Sequence, residues 1–355
     1  MFGLCQDVPR SKERAMPTRY HGRFFDQSTT QSQAKLRIYR AYLKPWASKL
    51  GSNRSNRRLW VIDGFAGRGR YRDGTPGSPE LAMQLAKDVA TDVRSYRIRC
   101  IFGETRKENQ RVLTALAGRY PESSAMIIED DFWDRIHDVT ALVAGEPALL
   151  FIDPFGLAGL RFDRLAELVN GLGKVDLIVN LRTPVAPRLA PNLSNRISAA
   201  VGSDDWETGT VSDVFRRNLS TACRFLPAAP LQIRDRLGGR LHTELVLASR
   251  APDAYELWND EIVKEVERLD AASEAGESVQ TRDLNLESVA DRLADWSRGQ
   301  ARWRRQDAIN WHVVEYCGDA HTGTIKRAHK LLLQRGRIRE LDPQAKVDVN
   351  WFVPA

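Results

Sequence analysis

The sequence predicts an α/β protein with a doubly wound, mostly parallel sheet, followed by a small terminal unit of two helices and two strands. Short segments rich in apolar residues, such as 58–62, 97–103 and 148–152, alternate with stretches in which apolar residues recur every three or four positions. The first pattern is typical of buried strands and the second of amphipathic helices. Strands that alternate with helices build parallel βαβ units, so both faces of the sheet should be covered. At about 150 residues per domain, 355 residues indicate two domains.

The elements are expected in a regular order. Apolar residues at 36, 39, 43, 46 and 50 share one helical face and predict a first helix that ends near Gly51. Ser78 and Pro79 form a good N-cap and first-turn pair for the helix that follows the first strand. Strands are predicted at 58–62, 97–103, 125–128, 148–152, 175–180 and 240–248. One helix is predicted to begin at 78, three more to end at 116, 143 and 169, and a further one to extend over 255–269.

The domain organisation follows from shifts in composition. Residues 1–22 are basic and irregular and predict a flexible arm, residues 23–269 form the α/β domain, and the segment 184–237 is an insertion suited to target recognition. Residues 270–300 are acidic and rich in small residues, which predicts a linker. In residues 301–355, helices are predicted at 306–316 and 322–334 and strands at 338–341 and 347–353. This order predicts a winged-helix domain.

Composition and charge limit the classes of function. The chain has 53 basic and 46 acidic residues, a net charge of +7, which permits a polyanionic partner without demanding one. It contains no run of the roughly 20 apolar residues that a membrane helix needs, and its basic start is followed by no apolar segment. A cytoplasmic protein is therefore expected. The 4 cysteines are far apart and the histidines form no ligand set, so neither disulfides nor a metal site are expected.

Acidic residues follow four successive predicted strands. Asp63, Glu104, the pair Asp130 and Asp131, and Asp153 each stand where a strand ends. In an open parallel sheet, ligands bind outside the carboxyl ends of the strands, so these acids indicate a binding site. The alternative is that each carboxylate only caps the helix that follows it.

A glycine-rich loop follows the first strand, with the sequence Asp-Gly-Phe-Ala-Gly-Arg-Gly over 63–69. A P-loop would need a lysine and a hydroxyl residue after its last glycine, but Arg70 and Tyr71 stand there. A dinucleotide loop would open directly into a helix, whereas residues 70–76 intervene here. The loop resembles D-x-F-A-G-x-G of S-adenosylmethionine-dependent methyltransferases, which it matches at every fixed position.

This resemblance implies the Rossmann-like fold of class I methyltransferases, with S-adenosylmethionine as cofactor. By that resemblance, Glu104 would bind the ribose hydroxyls and Asp130 or Asp131 the adenine amino group. The methionine part of the cofactor would be held by Asp63, Gly64, Phe65, Ala66, Gly67 and Gly69.

The fourth strand end, Asp153-Pro154-Phe155-Gly156, resembles the amino-methyltransferase motif [DNS]-P-P-[YFW]. The resemblance implies that Asp153 and the carbonyl of Pro154 accept hydrogens from an acceptor amine while Phe155 stacks on an extruded base. The second proline of the motif is missing, which places the aromatic residue one position early. On the structural alternative, Asp153 caps a helix and Phe155 packs in the core.

A closer resemblance is to the three-Cys-motif partner (TcmP) proteins, whose partner is a phage-type, radical-SAM-like protein with three cysteines. It extends over roughly residues 23–265. The stretches that carry it are Phe24-Phe25-Asp26 with Thr30 and Ser32, Tyr42 with Trp46, 62–71, Gly77-Ser78-Pro79 and 151–157. The resemblance supplies no established substrate.

The sequence therefore predicts a methyltransferase that acts on an amino group of a nucleic-acid base, DNA or RNA. Basic residues expected to contact the nucleic acid are Arg68, Arg70 and Arg72 in the long loop, with Lys326, Arg327 and Lys330 in the terminal domain. The alternative is a non-catalytic adapter that binds the cofactor and serves its radical-SAM-like companion. The missing second proline favours that alternative.

Overall fold

The computed structural model describes residues 31–51, 57–71, 73–92, 95–154, 156–181, 191–204, 210–227, 231–234, 241–273, 278–347 and 350–355. The basic arm predicted at 1–22 lies outside these ranges, as do Arg72 and Phe155. No helix in the described ranges is long and apolar enough to cross a membrane.

The large domain alternates helices with strands over most of its length. Its helices are α1 (Gln31–Gly51), α2 (Ser78–Asp92), α3 (Lys107–Ala117), α4 (Ile136–Val143), α5 (Phe162–Leu172), α6 (Pro191–Val201), α7 (Val211–Cys223) and α8 (Pro252–Ser273). Its strands are β1 (Arg57–Asp63), β2 (Tyr96–Gly103), β3 (Met126–Ile128), β4 (Ala148–Ile152), β5 (Val175–Leu181), β6 (Leu226–Pro227), β7 (Leu231–Arg234) and β8 (Leu241–Ser249).

The strands form one sheet in the order β3-β2-β1-β4-β5-β8-β6, with β7 also paired to β8. Strands β1 to β5 run parallel, and β8 pairs antiparallel with β5. Side chains of each central strand alternate between two cores: Leu59 and Val61 face one, Trp60 and Ile62 the other. Because the sheet is covered on both faces, its strands are continuous apolar runs, as β4 shows with all of its residues buried. The predicted doubly wound α/β fold is confirmed.

Helix α1 crosses one face of the sheet from the carboxyl ends of the strands to their amino ends. Near its start, Lys35 bonds to Asp153, which follows β4. Two turns later, the Tyr42 hydroxyl donates to Asp176 Oδ2 at 3.1 Å, and Asp176 lies at the start of β5. Residues 35, 39 and 42 therefore form one face of α1, at the helical spacing of four and three.

The segment 184–237 is built into the large domain wherever it is described. Helices α6 and α7 bury Ile197, Val201, Val214 and Phe215 in the second core, and β6 and β7 pair with β8. The sequence did not predict these four elements. The role in target recognition predicted for this segment stays a prediction.

The terminal unit contains α9 (Ser278–Ser297), β9 (Trp303–Arg304), α10 (Arg305–Glu315), α11 (Thr322–Gln334), β10 (Ile338–Glu340) and β11 (Trp351–Pro354). The strands form an antiparallel sheet in the order β10-β11-β9. Both predicted helices are present, but the last strand begins at Trp351 instead of residue 347, and the prediction missed β9. The predicted linker 270–300 needs correction, because α8 continues to Ser273 and α9 occupies 278–297.

Helix α9 is stabilised by apolar contacts and by an ion pair with residues that are distant in the sequence. Its residues Val289 and Leu293 are buried in the core that the terminal unit shares with the sheet domain. On its exposed side, Glu287 accepts two hydrogen bonds of 2.8 Å from Arg335. The acids that suggested a solvated linker are therefore partly neutralised by the unit that follows.

The terminal unit docks directly on helix α8. Asn259 Nδ2 donates to the carbonyl of Ala320 at 2.7 Å, and Gly318 N donates to Asn259 Oδ1 at 2.8 Å. The neighbouring Asp260 accepts from the backbone N–H of Thr322 at 2.7 Å, at the start of α11. Asn259 is fully buried, so these hydrogen bonds lie inside the contact between the two units.

Candidate functional site

The carboxyl edge of the sheet brings three of the predicted acids to neighbouring positions. Asp63, the last residue of β1, pairs in register with Phe102 of β2 and Phe151 of β4. Glu104 and Asp153 stand two residues beyond those partners and therefore flank Asp63 on its two sides. This edge is where open α/β sheets bind ligands.

Asp63 is a buried carboxyl group held by two hydrogen bonds. Oδ2 accepts from the Ser78 hydroxyl at 2.6 Å, and Oδ1 accepts from the backbone N–H of Phe65 at 3.0 Å. Burial is the main cause that raises the pKa of Asp63, to about 7, against the opposing effect of these two donors. The nearby Asp153 raises this pKa further and Lys35 lowers it. Asp63 can therefore change its charge near neutral pH.

The glycine loop leaves β1 through close backbone contacts. Ala66 N donates to the carbonyl of Gly103 at 2.9 Å, so the loop passes over the end of β2. Gly67 adopts a φ of +61°, and a Cβ built on it would lie 4.0 Å from Glu104 Oε2. A side chain at this position would be strained and would fill the space beside the carboxylate. The loop thus keeps one side of Glu104 open.

Glu104 is oriented by donors on its other side. Oε1 accepts from the backbone N–H of Arg106 at 2.6 Å and Oε2 from Asn109 Nδ2 at 3.0 Å. Gln110 Nε2 donates to the carbonyls of Glu104 and Glu129, at 2.6 and 2.9 Å, and so links the loops after β2 and β3. A carboxylate has about four acceptor positions, so Glu104 retains free ones.

The long loop after Gly69 is a closed hairpin. Tyr71 N donates to the carbonyl of Thr75 at 2.8 Å, and Gly77 N donates to that of Gly69 at 2.8 Å. The Arg70 guanidinium bonds to Glu80, which is fully buried, and to the carbonyl of Gly74 at 2.9 Å. The buried Glu80 carboxylate needs a cation, and Arg70 supplies it while its side chain stays 39% exposed. The contact of Arg70 with nucleic acid stays a prediction. Arg68 is half-buried.

Asp153 lies in a buried network that the sequence did not predict. Lys35 of α1 donates to its Oδ2, and Asn180 of β5 donates to its Oδ1 at 2.5 Å. The Thr243 hydroxyl of β8 donates to the Asn180 amide oxygen and lies 2.8 Å from the carbonyl of Leu181. Lys35, Asn180 and Thr243 are all at most 4% exposed. The network connects α1, β4, β5 and β8 at the carboxyl edge.

The other predicted residues are placed differently. Asp130 and Asp131 are exposed, and Asp131 Oδ1 accepts from the backbone N–H of Trp133 at 2.9 Å, which caps the short turn after β3. Phe65 is half-buried, with its ring centroid 5.9 Å from that of Trp133. Pro154 is buried, and Phe155 lies outside the described residues. Asp131 therefore has a capping role whether or not it also binds a ligand.

One sequence signal could have identified Lys35. It stands four and seven positions before Tyr39 and Tyr42, both buried, so it occupies the apolar face of α1. A lysine is almost never fully buried unless it is paired, so a lysine on such a face implies a carboxylate opposite. Asn180 and Thr243 gave no comparable signal.

The described residues contain no group of three or more histidine, cysteine, aspartate or glutamate side chains that could hold a metal ion. Cys100, Cys223 and Cys317 are buried and free. The strand order and the reversed β8 define a Rossmann-like, doubly wound α/β fold.

The chain aligns with several solved structures at low identity. A SAM-dependent methyltransferase from Agrobacterium tumefaciens aligns over 61% of this chain and 63% of its own, at 13% identity and a TM-score of 0.35. An rRNA methylase from Streptococcus thermophilus aligns over 63% of this chain and 98% of its own, at 9% identity and a TM-score of 0.35. The bifunctional kinase-methyltransferase WbdD aligns over 63% of this chain and only 41% of its own, at 15% identity and a TM-score of 0.37.

Likeness at these scores assigns no activity or substrate to this chain, which spans less than half the length of WbdD. No family model matches the sequence. No curated protein matches it either. The resemblance to the three-Cys-motif partner proteins and the winged-helix assignment therefore stay predictions.

Proposed function

We propose that this protein is an S-adenosylmethionine-dependent methyltransferase whose acceptor is an amino group of a nucleic-acid base. The observation that carries the proposal is the arrangement of Asp63, Gly67 and Glu104. Asp63 is a buried carboxyl group, and Glu104 is a carboxylate with free acceptor positions. Gly67, in the loop between them, has no side chain to fill the space beside Glu104.

The residues present fit this cofactor. Glu104 has free acceptor positions beside Gly67, and a carboxylate suits two neighbouring ribose hydroxyls because it accepts from both at once. Asp63 would accept from the amino group of the methionine part. Near it, Tyr39 Oη is buried and has no hydrogen-bond partner among the described residues, so it offers a further polar contact. The bound cofactor would supply a methyl group activated on a positively charged sulfur.

Asp153 and Pro154 would orient the acceptor. Lys35 and Asn180 fix the Asp153 carboxylate in one orientation, and each of its oxygens keeps a second acceptor position. Hydrogen bonds from an aromatic amine to Asp153 and to the Pro154 carbonyl would localise the lone pair of the nitrogen and hold it near the methyl group. Asp153 would thus act as a positioned acceptor for amine hydrogens.

A second candidate function is a non-catalytic, cofactor-binding partner of a radical-SAM-like protein with three cysteines. Its support is that both oxygens of Asp153 already have protein donors, which is what a purely structural carboxylate requires. Methyl transfer to oligonucleotides separates the two functions. If the protein is an enzyme, Asp153→Asn should abolish methyl transfer while cofactor binding persists. If it is an adapter, the native chain should bind the cofactor without transferring a methyl group.

Cofactor binding tests the main proposal. At a concentration about one hundred times its dissociation constant, S-adenosylmethionine should stabilise the fold by roughly 2.7 kcal/mol and raise the melting temperature by several degrees. Asp63→Asn should remove most of this shift because a neutral amide loses the ionic contact. Asp138→Asn, on the exposed side of α4, is the matched control and should keep the full shift. An equal shift with NAD, or none with S-adenosylmethionine, contradicts the proposal.

The affinity should also depend on pH through Asp63. Its carboxyl group has a pKa of about 7 in the free protein, and an ammonium ligand prefers the ionised form. Binding therefore releases a proton below that pKa, and affinity should rise up to tenfold per pH unit between about pH 5.5 and 6.5 and level off above 7. Calorimetric titration at several pH values measures this. A constant affinity over that range would show that Asp63 is not the contact.

The nucleic-acid partner is supported by the terminal unit. Its described elements follow the order helix, strand, helix, helix, strand, strand, which suits a winged-helix domain. Lys326, Arg327 and Lys330 are exposed on α11, the second helix of the predicted pair. Lys326 Nζ lies 4.0 Å from Glu256 Oε2 of α8, so part of this charge is compensated.

A further inference from the structure

The outer face of the small terminal sheet carries arginines that have no acidic partner in the part of the chain that the structure describes. Strand register places Arg304 beside Trp351, and Arg339 beside Val353. Paired residues point to the same face, and side chains alternate along each strand, so all four share one face. The opposite face holds the buried residues Trp303, Ile338 and Phe352.

Arg304 and a further arginine, Arg302, just before β9, both lie over the ring of Trp351. The Cζ atoms of Arg302 and Arg304 lie 4.5 and 4.8 Å from the ring centroid of Trp351. Both arginines are exposed, and the tryptophan is half-buried. Stacking holds a guanidinium flat and leaves its N–H edges free, which suits bidentate contact with a phosphate. The two side chains are therefore partly ordered before any ligand binds.

Two other arginines of the terminal unit, Arg335 and Arg337, are already paired with acidic side chains. Arg335 makes its two hydrogen bonds to Glu287, and Arg337 lies 3.4 Å from Asp291. By contrast, no acidic side chain among the described residues pairs with Arg302, Arg304 or Arg339. The outer sheet face therefore carries positive charge that the acidic side chains of the described residues do not pair with, in addition to the charge on α11.

We propose that this outer face binds the sugar–phosphate backbone of a nucleic acid. Neighbouring strands are about 4.8 Å apart and the partners of Arg304 and Arg339 are two residues apart along β11, so the backbones of the two arginines are separated by about 12 Å. At a rise of about 3.4 Å per nucleotide on one strand, this separation reaches different phosphates. The choice of nucleic acid as the anion rests on the proposed function, and the surface lies on a different element from the basic residues of α11.

The test is the salt dependence of binding of the full-length protein to a labelled duplex of about 20 base pairs, with no cofactor present. The slope of log K against log salt is negative, and each lost phosphate contact reduces its magnitude by about 0.9, so Arg302→Gln/Arg304→Gln should reduce it by about 1.8. Arg339→Gln should reduce the magnitude by about 0.9. The matched control, Arg335→Gln/Arg337→Gln, removes the same net charge from paired positions and should leave the slope close to that of the native protein.

A conservative variant separates stacked, planar contact from charge alone. Arg302→Lys/Arg304→Lys should keep the slope but weaken binding severalfold, because an ammonium lacks the bidentate fork. If the two glutamine double variants give equal slopes, the salt dependence follows the net charge of the protein and not the outer sheet face, and the proposal is overturned. Binding of anionic vesicles that these variants abolish, without binding of the duplex, would also overturn it.

The outcome is independent of methyl transfer. Asp63→Asn should bind the duplex with native affinity even though it no longer binds the cofactor. If the native protein binds S-adenosylmethionine but no duplex, the surface proposal fails and the cofactor proposal stands. If it binds the duplex through this face but no cofactor, the reverse holds.

Discussion

Replacing Lys35 by methionine should lower the free energy of unfolding by about 3 to 5 kcal/mol, the usual cost of leaving a buried charge unpaired. The ammonium group is buried and bonds to Asp153, whose side chain is only 17% exposed. Methionine fills a similar volume but leaves the Asp153 carboxylate without its cation. Asn180 alone cannot replace the lost charge. Urea denaturation of the native protein and the variant measures the difference.

The double variant Lys35→Met/Asp153→Asn is the control for this prediction. With both charges removed, no buried ion is left unpaired, and the amide introduced at position 153 can still bond to Asn180. Most of the lost stability should therefore return, because replacing both members of a buried pair is often nearly neutral. If Lys35→Met costs under about 1 kcal/mol, or if the double variant is as unstable as the single one, Lys35 does not neutralise Asp153 in the folded protein.

The second large effect concerns His312 in α10. The side chain is fully buried, and neither ring nitrogen has a hydrogen-bond partner among the described residues. Burial is the main cause that lowers the pKa of His312 to about 3, and the nearby Arg292 lowers it further. The unfolded chain binds a proton at a pKa near 6.5, which the folded protein resists. Stability should therefore fall as pH drops from about 6.5 towards about 3, by about 1.4 kcal/mol per pH unit.

His312→Leu isolates this effect. Asp63 acts in the opposite direction, because its pKa is raised to about 7 in the folded protein, so its contribution to stability grows as pH falls from about 7 towards about 4. The native pH profile alone would mix the two. Between about pH 6.5 and about pH 4.5, the leucine variant should lose about 2 to 3 kcal/mol less stability than the native protein. Parallel profiles for the two proteins would show that His312 is hydrogen-bonded or hydrated and titrates normally.

Local patterns were sufficient to predict the central sheet. The apolar run at 148–152 coincides with β4, and the predicted 58–62 differs from β1 by one residue at each end. Parallel strands are buried on both faces and so appear as continuous apolar runs, and the acids after them mark the edge at which they end. That is why Asp63, Glu104 and Asp153 could be placed near one another from the sequence.

The rest depended on contacts between distant residues. Lys35 and Asp153 are 118 positions apart, and the local sequence around either residue does not identify the other as its partner. Arg70 was predicted as a ligand contact because the loop contains several arginines, and its ion pair with the buried Glu80 on α2 was not predicted. Helix α9 appeared to be a linker because its acids suggested solvation, whereas the cation that pairs with Glu287 stands 48 positions later. β6 and β9 contain only two residues each, too few for a periodic pattern.

The docking of the terminal unit on α8 fixes the span between the two proposed sites. Asn259 joins it through buried hydrogen bonds and Asp260 through a partly buried one, and α8 follows β8 after only two residues. Moving one unit against the other would break these hydrogen bonds and expose Asn259. On the two proposals, a nucleic acid long enough to lie on both sites would therefore adapt to the protein, by bending or by turning one nucleotide out of its stack.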